Sequence, residues 1–229
     1  MIKNIIRDIR KEIKFNDNPI HKSIGSENTS NLVNWQIVEE CLNSNLFRFE
    51  IISNSIKQNV SQSNYFWYST PVQDKNFIFN MILSGATFVL LEYRNKQTSE
   101  LLHEIEKQFD VVCDAHVYGG ISIDSKSFNP HVDIPSNFIV QVEGKTLWKI
   151  YKNQASDLFS QEEINSTSVK DNLELDFEIL LNPGDILYVP ARRFHEAIPN
   201  GKRLSISIPC RSKKYDRNIL NLDRNYYAF

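Results

Sequence analysis

The chain has 229 residues, 41% hydrophobic and 24% charged, which suits one well-buried core in an ordinary globular protein. A net charge of -2 excludes a general electrostatic grip on nucleic acid or an anionic membrane, although Lys202, Arg203, Arg211, Lys213 and Lys214 form a local basic cluster. Three scattered cysteines, Cys41, Cys113 and Cys210, make neither a disulfide framework nor a CxxC zinc pattern, and read as reduced thiols of a cytoplasmic protein.

Isoleucines at 2, 5, 6, 9 and 13 recur at helical spacing, so the N-terminus is expected to be an amphipathic helix packed on the domain. Charges interrupt any signal-like apolar core, and no stretch approaches the length needed to span a bilayer. Polar breaks at 23–31 and 59–64 flank a helical pattern over 32–46. Residues 77–83 are apolar, and Gly85-Ala86 introduces a buried strand over 87–91. Thr98-Ser99-Glu100 opens a helix with Leu101, Leu102, Ile105 and Phe109 on one face, before a strand near 111–118. Short strands follow at 138–142, 147–151, 177–181, 186–189 and 204–208, with Gly144-Lys145 as a hairpin turn between the first two. Residues 154–176 are a polar, acidic surface insertion, and 215–229 a short docked helix. The chain thus divides into a helical and loop region over 1–70, a β domain over 71–209 and a helical tail over 210–229. It is mainly β with α additions.

His131-Val132-Asp133 opens the strand at 138–142, and His195 follows the turn Asn182-Pro183-Gly184-Asp185 and the strand ending at Pro190. Along an extended backbone, residues 131 and 133 point to the same side, away from Val132. The strand before His195 should leave it in the loop just beyond. Two histidines and one carboxylate converging inside a barrel make a facial triad, which leaves about three of six positions on Fe(II) open. His131, Asp133 and His195 are therefore the candidate catalytic and metal-ligating residues. His21, His103 and His116 read as structural, His116 with some prospect of lining the pocket.

Several ordered pieces together resemble one family. They are Ser84-Gly85-Ala86-Thr87-Phe88-Val89-Leu90, residues 118–122, Asn129-Pro130-His131-Val132-Asp133, Asn137-Phe138-Ile139-Val140-Gln141-Val142-Glu143-Gly144, Trp148-Lys149-Ile150-Tyr151, and Pro183-Gly184-Asp185 through His195. The chain resembles the JmjC branch of the cupin-fold 2-oxoglutarate oxygenases, most closely the ribosomal-oxygenase-like group. The resemblance implies a double-stranded β-helix, that is, a jelly-roll or cupin barrel with N-terminal helices. It also implies Fe(II), 2-oxoglutarate and O2 as cofactor and co-substrates, and a hydroxylated product with succinate and CO2.

Most relatives hold the far carboxylate of 2-oxoglutarate with a Lys or Arg two residues after the hairpin glycine; this chain has Thr146 there. Arg203-Leu204-Ser205 resembles the Arg-x-Ser signature of other 2-oxoglutarate oxygenases. Strand alternation puts Arg203, Ser205 and Ser207 on one face. Arg203 is thus the expected anchor, with Ser205 and Thr146 as helpers, while Asn137 and Ser122 match family positions near the co-substrate. Tyr118, Trp148 and Tyr188 are candidate cavity residues, and Arg192-Arg193 read as rim charges or as attractants for an anionic substrate. Protein-modifying relatives continue into a dimerisation region and a winged-helix-like domain, whereas this chain ends about twenty residues after its last strand. A peptide, protein or small-molecule substrate is expected, with no strong nucleic-acid signal and no membrane partner, and a homodimer stays open. The alternatives are a non-oxidative metal-binding cupin and a catalytically inactive binding module.

Overall fold

A computed structural model describes residues 2–13, 18–44, 47–53, 56–58, 60, 73–125, 128–156 and 172–213. The expected tail helix at 215–229, the polar break after residue 60 and most of the acidic insertion lie outside them. The helices are α1 (Ile2–Ile13), α2 (Trp35–Asn43), α3 (Lys75–Leu83) and α4 (Lys96–Phe109). The strands are β1 (Ile20–Ser23), β2 (Arg48–Ser53), β3 (Ile56–Gln58), β4 (Thr87–Leu91), β5 (Val111–Cys113), β6 (His116–Gly120), β7 (Ser136–Glu143), β8 (Thr146–Gln154), β9 (Leu175–Leu181), β10 (Asp185–Val189), β11 (Arg193–Pro199) and β12 (Arg203–Ser212).

Local chemistry sets the helix starts. The Asn34 side chain accepts from the Ile37 amide, so α2 begins at Trp35 and leaves Leu32 and Val33 free to enter the core. Asn95 and Thr98 form a reciprocal capping box that starts α4 at Lys96, two residues earlier than the Thr98 signal suggests. In α1, Ile6 and Ile9 are fully buried, and Arg7 reaches Glu104 of α4 at 3.3 Å.

The described strands form two antiparallel sheets. The larger runs β1-β10-β7-β12-β6-β4-β2-β3, with β5 also on β12; the smaller runs β11-β8-β9. This is the mainly β, jelly-roll type of architecture expected. Two expectations change. The first seventy residues are not only helix and loop, because β1 pairs with β10 and β2 with β4. Gly144-Lys145 is a corner rather than a hairpin turn: β7 pairs with β10 and β12, whereas β8 pairs with β11 and β9. Gly144 makes that corner at φ 66°, and a Cβ there would fall 1.9 Å from the Lys202 carbonyl oxygen. Only glycine fits both conditions.

The centre of the large sheet, β10-β7-β12, is buried on both faces, and the two faces differ in chemistry. Phe138, Val140 and Val142 of β7 and Leu204, Ile206 and Ile208 of β12 join the helices in the main apolar core. The alternate residues of the same strands, Asn137 and Ile139, Arg203, Ser205 and Ser207, line a cleft. A smaller apolar cluster, Ile139, Trp148, Ile150, Leu181, Leu187 and Val189, packs one sheet on the other. Slipping β12 by one residue would drive a guanidinium and two hydroxyls into the main core, so its register is strongly fixed.

Candidate metal centre and its cleft

His131 and His195 are held as a pair by the backbone. The His131 amide donates to the His195 carbonyl at 3.0 Å, and the His195 amide donates back at 2.9 Å. His195 therefore lies on β11, opposite Ile150 of β8, not in the loop the sequence suggests. Val132 points the other way and is fully buried against Phe194. Ligand atoms of His131, Asp133 and His195 all lie within 4.8 Å of one another.

Each imidazole is oriented by the nitrogen that faces away from this point. His131 Nδ1 contacts the Asn129 carbonyl at 2.8 Å, and His195 Nδ1 the Arg193 carbonyl at 2.9 Å. A carbonyl oxygen only accepts, so each Nδ1 carries the proton and each Nε2 is left with its lone pair. Asn137 Nδ2 donates to Asp133 Oδ2 at 2.7 Å and fixes the carboxylate. Trp148 stacks on His195 with ring centroids 5.7 Å apart, and Phe128 meets His131 edge-on at 5.3 Å. This donor set, with second partners already in place, suits a divalent metal such as Fe(II). Burial pulls the His195 pKa down, but the hydrogen bond and charge of Asp133, helped by the Arg193 carbonyl, outweigh it and leave the pKa raised.

The triad opens into a cleft of about 560 Å³, its open mouth included, walled by Tyr118, Phe128, Ile139, Val189 and Ala197 among others. Its polar lining includes Asn137, Thr146, Trp148, Arg203, Ser205 and Ser207. Four buried atoms in that lining have no hydrogen-bond partner: Asn137 Oδ1, Thr146 Oγ1, Trp148 Nε1 and Arg203 Nη1. Orphaned buried polar atoms are costly, and a cluster of them in one cleft is what a polar ligand would satisfy. Donors from Arg203, Thr146 and Trp148 fit an anionic, oxygen-rich molecule such as 2-oxoglutarate.

Arg203 is 2% exposed. Its Nη2 donates to Thr87 Oγ1 at 3.1 Å and to the Ser125 carbonyl at 2.9 Å. Burial alone lowers its pKa to about 10, so it stays protonated at neutral pH. Burial and the charge of Asp133 push the Tyr118 phenol up, so its hydroxyl keeps its proton.

The other expectations distribute as follows. Asn137, Thr146, Arg203 and Ser205 all reach the cleft; Ser122 does not line it, but sits on the turn after β6 and accepts from the Asp124 amide. His116 accepts from the Glu92 amide, and burial lowers its pKa. His21 faces Asp185 at 3.3 Å, and His103 is exposed on α4. Tyr188 belongs to the main core. Arg193 bonds the Tyr151 carbonyl and Asp176, and Arg192 the Ser156 carbonyl, which makes both rim charges with protein partners. The sequence reading missed Thr87 and Ser125 behind Arg203, and Gly120 beside it. A Cβ on Gly120 would lie 2.5 Å from Ser125 Cβ and 3.1 Å from Arg203 Nη1. The lone hydroxyl of an otherwise apolar strand, Thr87, and the paired glycines were the available signals.

The JmjC domain model matches residues 89–217, more than half of the chain. The chain is 36% identical over 86 residues to the "Bifunctional lysine-specific demethylase and histidyl-hydroxylase NO66" of Drosophila willistoni, covering 37% of this chain and 11% of that one. It is 30% identical over 107 residues to "Ribosomal oxygenase 1" of Rattus norvegicus, covering 43% and 16%. The matched region is thus a small part of each relative's length. The structure of the ribosomal oxygenase YcfD from Escherichia coli, in complex with cobalt and 2-oxoglutarate, superposes with a TM-score of 0.57 at 14% identity, over 91% of this chain and 53% of that one. A second Escherichia coli ycfD structure gives the same TM-score over 85% and 49%. These solved structures share the fold, and on the family match over β4 to β12 and beyond, the chain belongs to the JmjC domain family.

Proposed function

We propose that the chain is an Fe(II)- and 2-oxoglutarate-dependent oxygenase that hydroxylates an unactivated carbon. The observation that carries this reading is the convergence of His131, Asp133 and His195, with each imidazole oriented by its Nδ1 contact to a backbone carbonyl. These three residues would hold the metal. Bound there, ferrous iron with 2-oxoglutarate and O2 supplies the oxidising power for hydroxylation, releasing succinate and CO2.

The protein's own groups orient and exclude. Asn137 keeps Asp133 turned inward, and Trp148 covers one face of His195. Ile139, Val189 and Ala197 give the cleft dry walls, which keep water from the reacting atoms. Asn137, Thr146, Arg203 and Ser205 would bind the co-substrate. The substrate we assign is a protein or peptide side chain, in line with the histidyl-hydroxylase and ribosomal-oxygenase names of the relatives. Among the described residues no helix is long and apolar enough to cross a membrane. The three free thiols favour the cytoplasm as its compartment.

The test is succinate formed in step with a one-oxygen mass gain on a candidate ribosomal or histone peptide. His131→Ala should abolish both. Metal binding without any 2-oxoglutarate binding or turnover would instead favour a non-oxidative cupin or a binding module.

A further inference from the structure

Arg203 differs from the other partly buried arginines among the described residues. Arg193, 11% exposed at its side chain, has Asp176, and Arg211, 31% exposed, has Asp114. Arg203 is more buried than either, and its hydrogen bonds go only to a hydroxyl and a carbonyl, neither of which neutralises it. No carboxylate pairs with it among the described residues. Desolvating a cation without a counter-charge is costly. A fold that keeps such a group, and holds one side of its fork while leaving Nη1 unpartnered at a cleft wall, is built to receive an anion.

The position of the cleft's other polar groups narrows the anion. Thr146 pairs with Pro199 on β11, four residues from Ile150, the partner of His195. That separation is about 13 Å of strand. On β12, Ser207, Ser205 and Arg203 step away in the same sense, from the level of Ile139 toward the Gly144 corner. The cleft thus has a metal-binding end and, deeper along the strands, a cationic end with hydroxyls from two sheets. An anion bridging them carries one chelating head and one remote negative group.

Resting on the oxygenase reading above, we infer that Arg203 on β12, with Ser205 and Thr146, binds the remote carboxylate of a 2-oxo diacid, from the sheet opposite Thr146, the position where the sequence resemblance led a cation to be expected. Thr87 and Ser125 fix one side of the guanidinium, so its free edge is oriented before the ligand arrives. Gly120 allows this: a Cβ there would press on both Ser125 and Arg203. Thr146, on the facing sheet, lines the same cleft and supplies a hydroxyl that has no other partner.

The experiment is calorimetric titration of the Mn(II)-loaded protein with 2-oxoglutarate and with 2-oxopentanoate, which has the same chain length but ends in a methyl group. Wild type should prefer the diacid by about 100-fold, the scale of a charge-assisted paired hydrogen bond. Arg203→Met should bring the two ligands to within a few-fold of each other while leaving 2-oxopentanoate binding nearly unchanged. Adding Thr146→Lys to Arg203→Met returns a cation to the same end of the cleft and should restore much of the preference. Arg203→Lys keeps a buried charge if the methionine variant does not fold, and should give an intermediate preference. A diacid preference that survives Arg203→Met or Arg203→Lys unchanged overturns the inference and leaves the oxygenase reading standing. Equal loss of both ligands makes Arg203 a purely structural residue and also overturns it. Failure of the wild type to bind 2-oxoglutarate at all removes both readings.

Discussion

The two ends of the cleft are finished to different degrees. At the metal end the three candidate ligands already have protein partners: both Nδ1 atoms are on backbone carbonyls and Asp133 is on Asn137, although Asn137 Oδ1 and Trp148 Nε1 beside them have none. At the far end, Arg203 Nη1 and Thr146 Oγ1 have none. The difference teaches how each end is meant to be completed. A metal ion needs ligands oriented in advance, because a wrong tautomer or a rotated ring offers it a proton instead of a lone pair. An anion needs donors left free, and those donors are costly until it comes. The first end is organised by the protein alone, the second by protein and ligand together.

The sharpest way to break this contrast is at the metal end. His195→Ala or Asp133→Ala should reduce metal affinity beyond the ~10–100-fold expected for losing an outer partner, because a ligand itself is lost. Metal titration followed by competition with a chelator measures it. Retained affinity in either variant would falsify the triad. Asn137→Ala tests the outer partner and should fall inside that ~10–100-fold window, with the fold intact. An effect on 2-oxoglutarate but not on metal would leave Asn137 with the co-substrate role alone.

The far end is tested by the glycine beside Arg203. Gly120→Ala places a methyl 2.5 Å from Ser125 Cβ and 3.1 Å from Arg203 Nη1. Overpacking of this kind costs about 1–3 kcal/mol of stability, readable by urea denaturation. Metal affinity should stay within a few-fold of wild type. A matching loss of metal affinity would mean the two ends are not independent.

The two ends also differed in how far they could be read from residues. His131-Val132-Asp133 is local: alternation alone places both ligands on one side, and the fold confirms Val132 on the other. Arg203, Ser205 and Ser207 could be assigned to a common face for the same reason. What alternation cannot give is the partner across the chain. Thr87 and Ser125 lie 116 and 78 residues from Arg203, and although Thr87 is the lone hydroxyl of an apolar strand, nothing near either residue points to Arg203. β11 was missed because Arg193-Phe194-His195-Glu196-Ala197-Ile198-Pro199 lacks an apolar stripe. Its inward positions are a ligand and an alanine, and outward Glu196 is bonded by the Tyr151 hydroxyl. β1 and β2 escaped because short edge-side strands with charged flanks look like loop until a neighbour supplies the ladder. The corner at Gly144 looked like a hairpin for a related reason: a glycine turn marks a reversal, not which sheet the chain enters next.

The smallest expected effect is with pH, and its sign separates the metal-free state from the loaded one. His195 Nε2 lies 3.6 Å from Asp133 Oδ2, and its pKa is raised in the fold. A folded value above the unfolded value, about 6.5 for histidine, contributes stability that is fully present below the unfolded value. That stability is lost as pH rises through the raised folded value. Metal binding reverses the dependence, because the ion takes the same Nε2 lone pair and must displace its proton. The melting temperature of the metal-free protein should therefore decline modestly from about pH 6 to pH 8, while the increment from Mn(II) grows over the same interval. Differential scanning fluorimetry with and without Mn(II) reads both. A metal increment that stays flat across the interval would mean no proton competes for His195, and that Asp133 does not face it in solution as it does here.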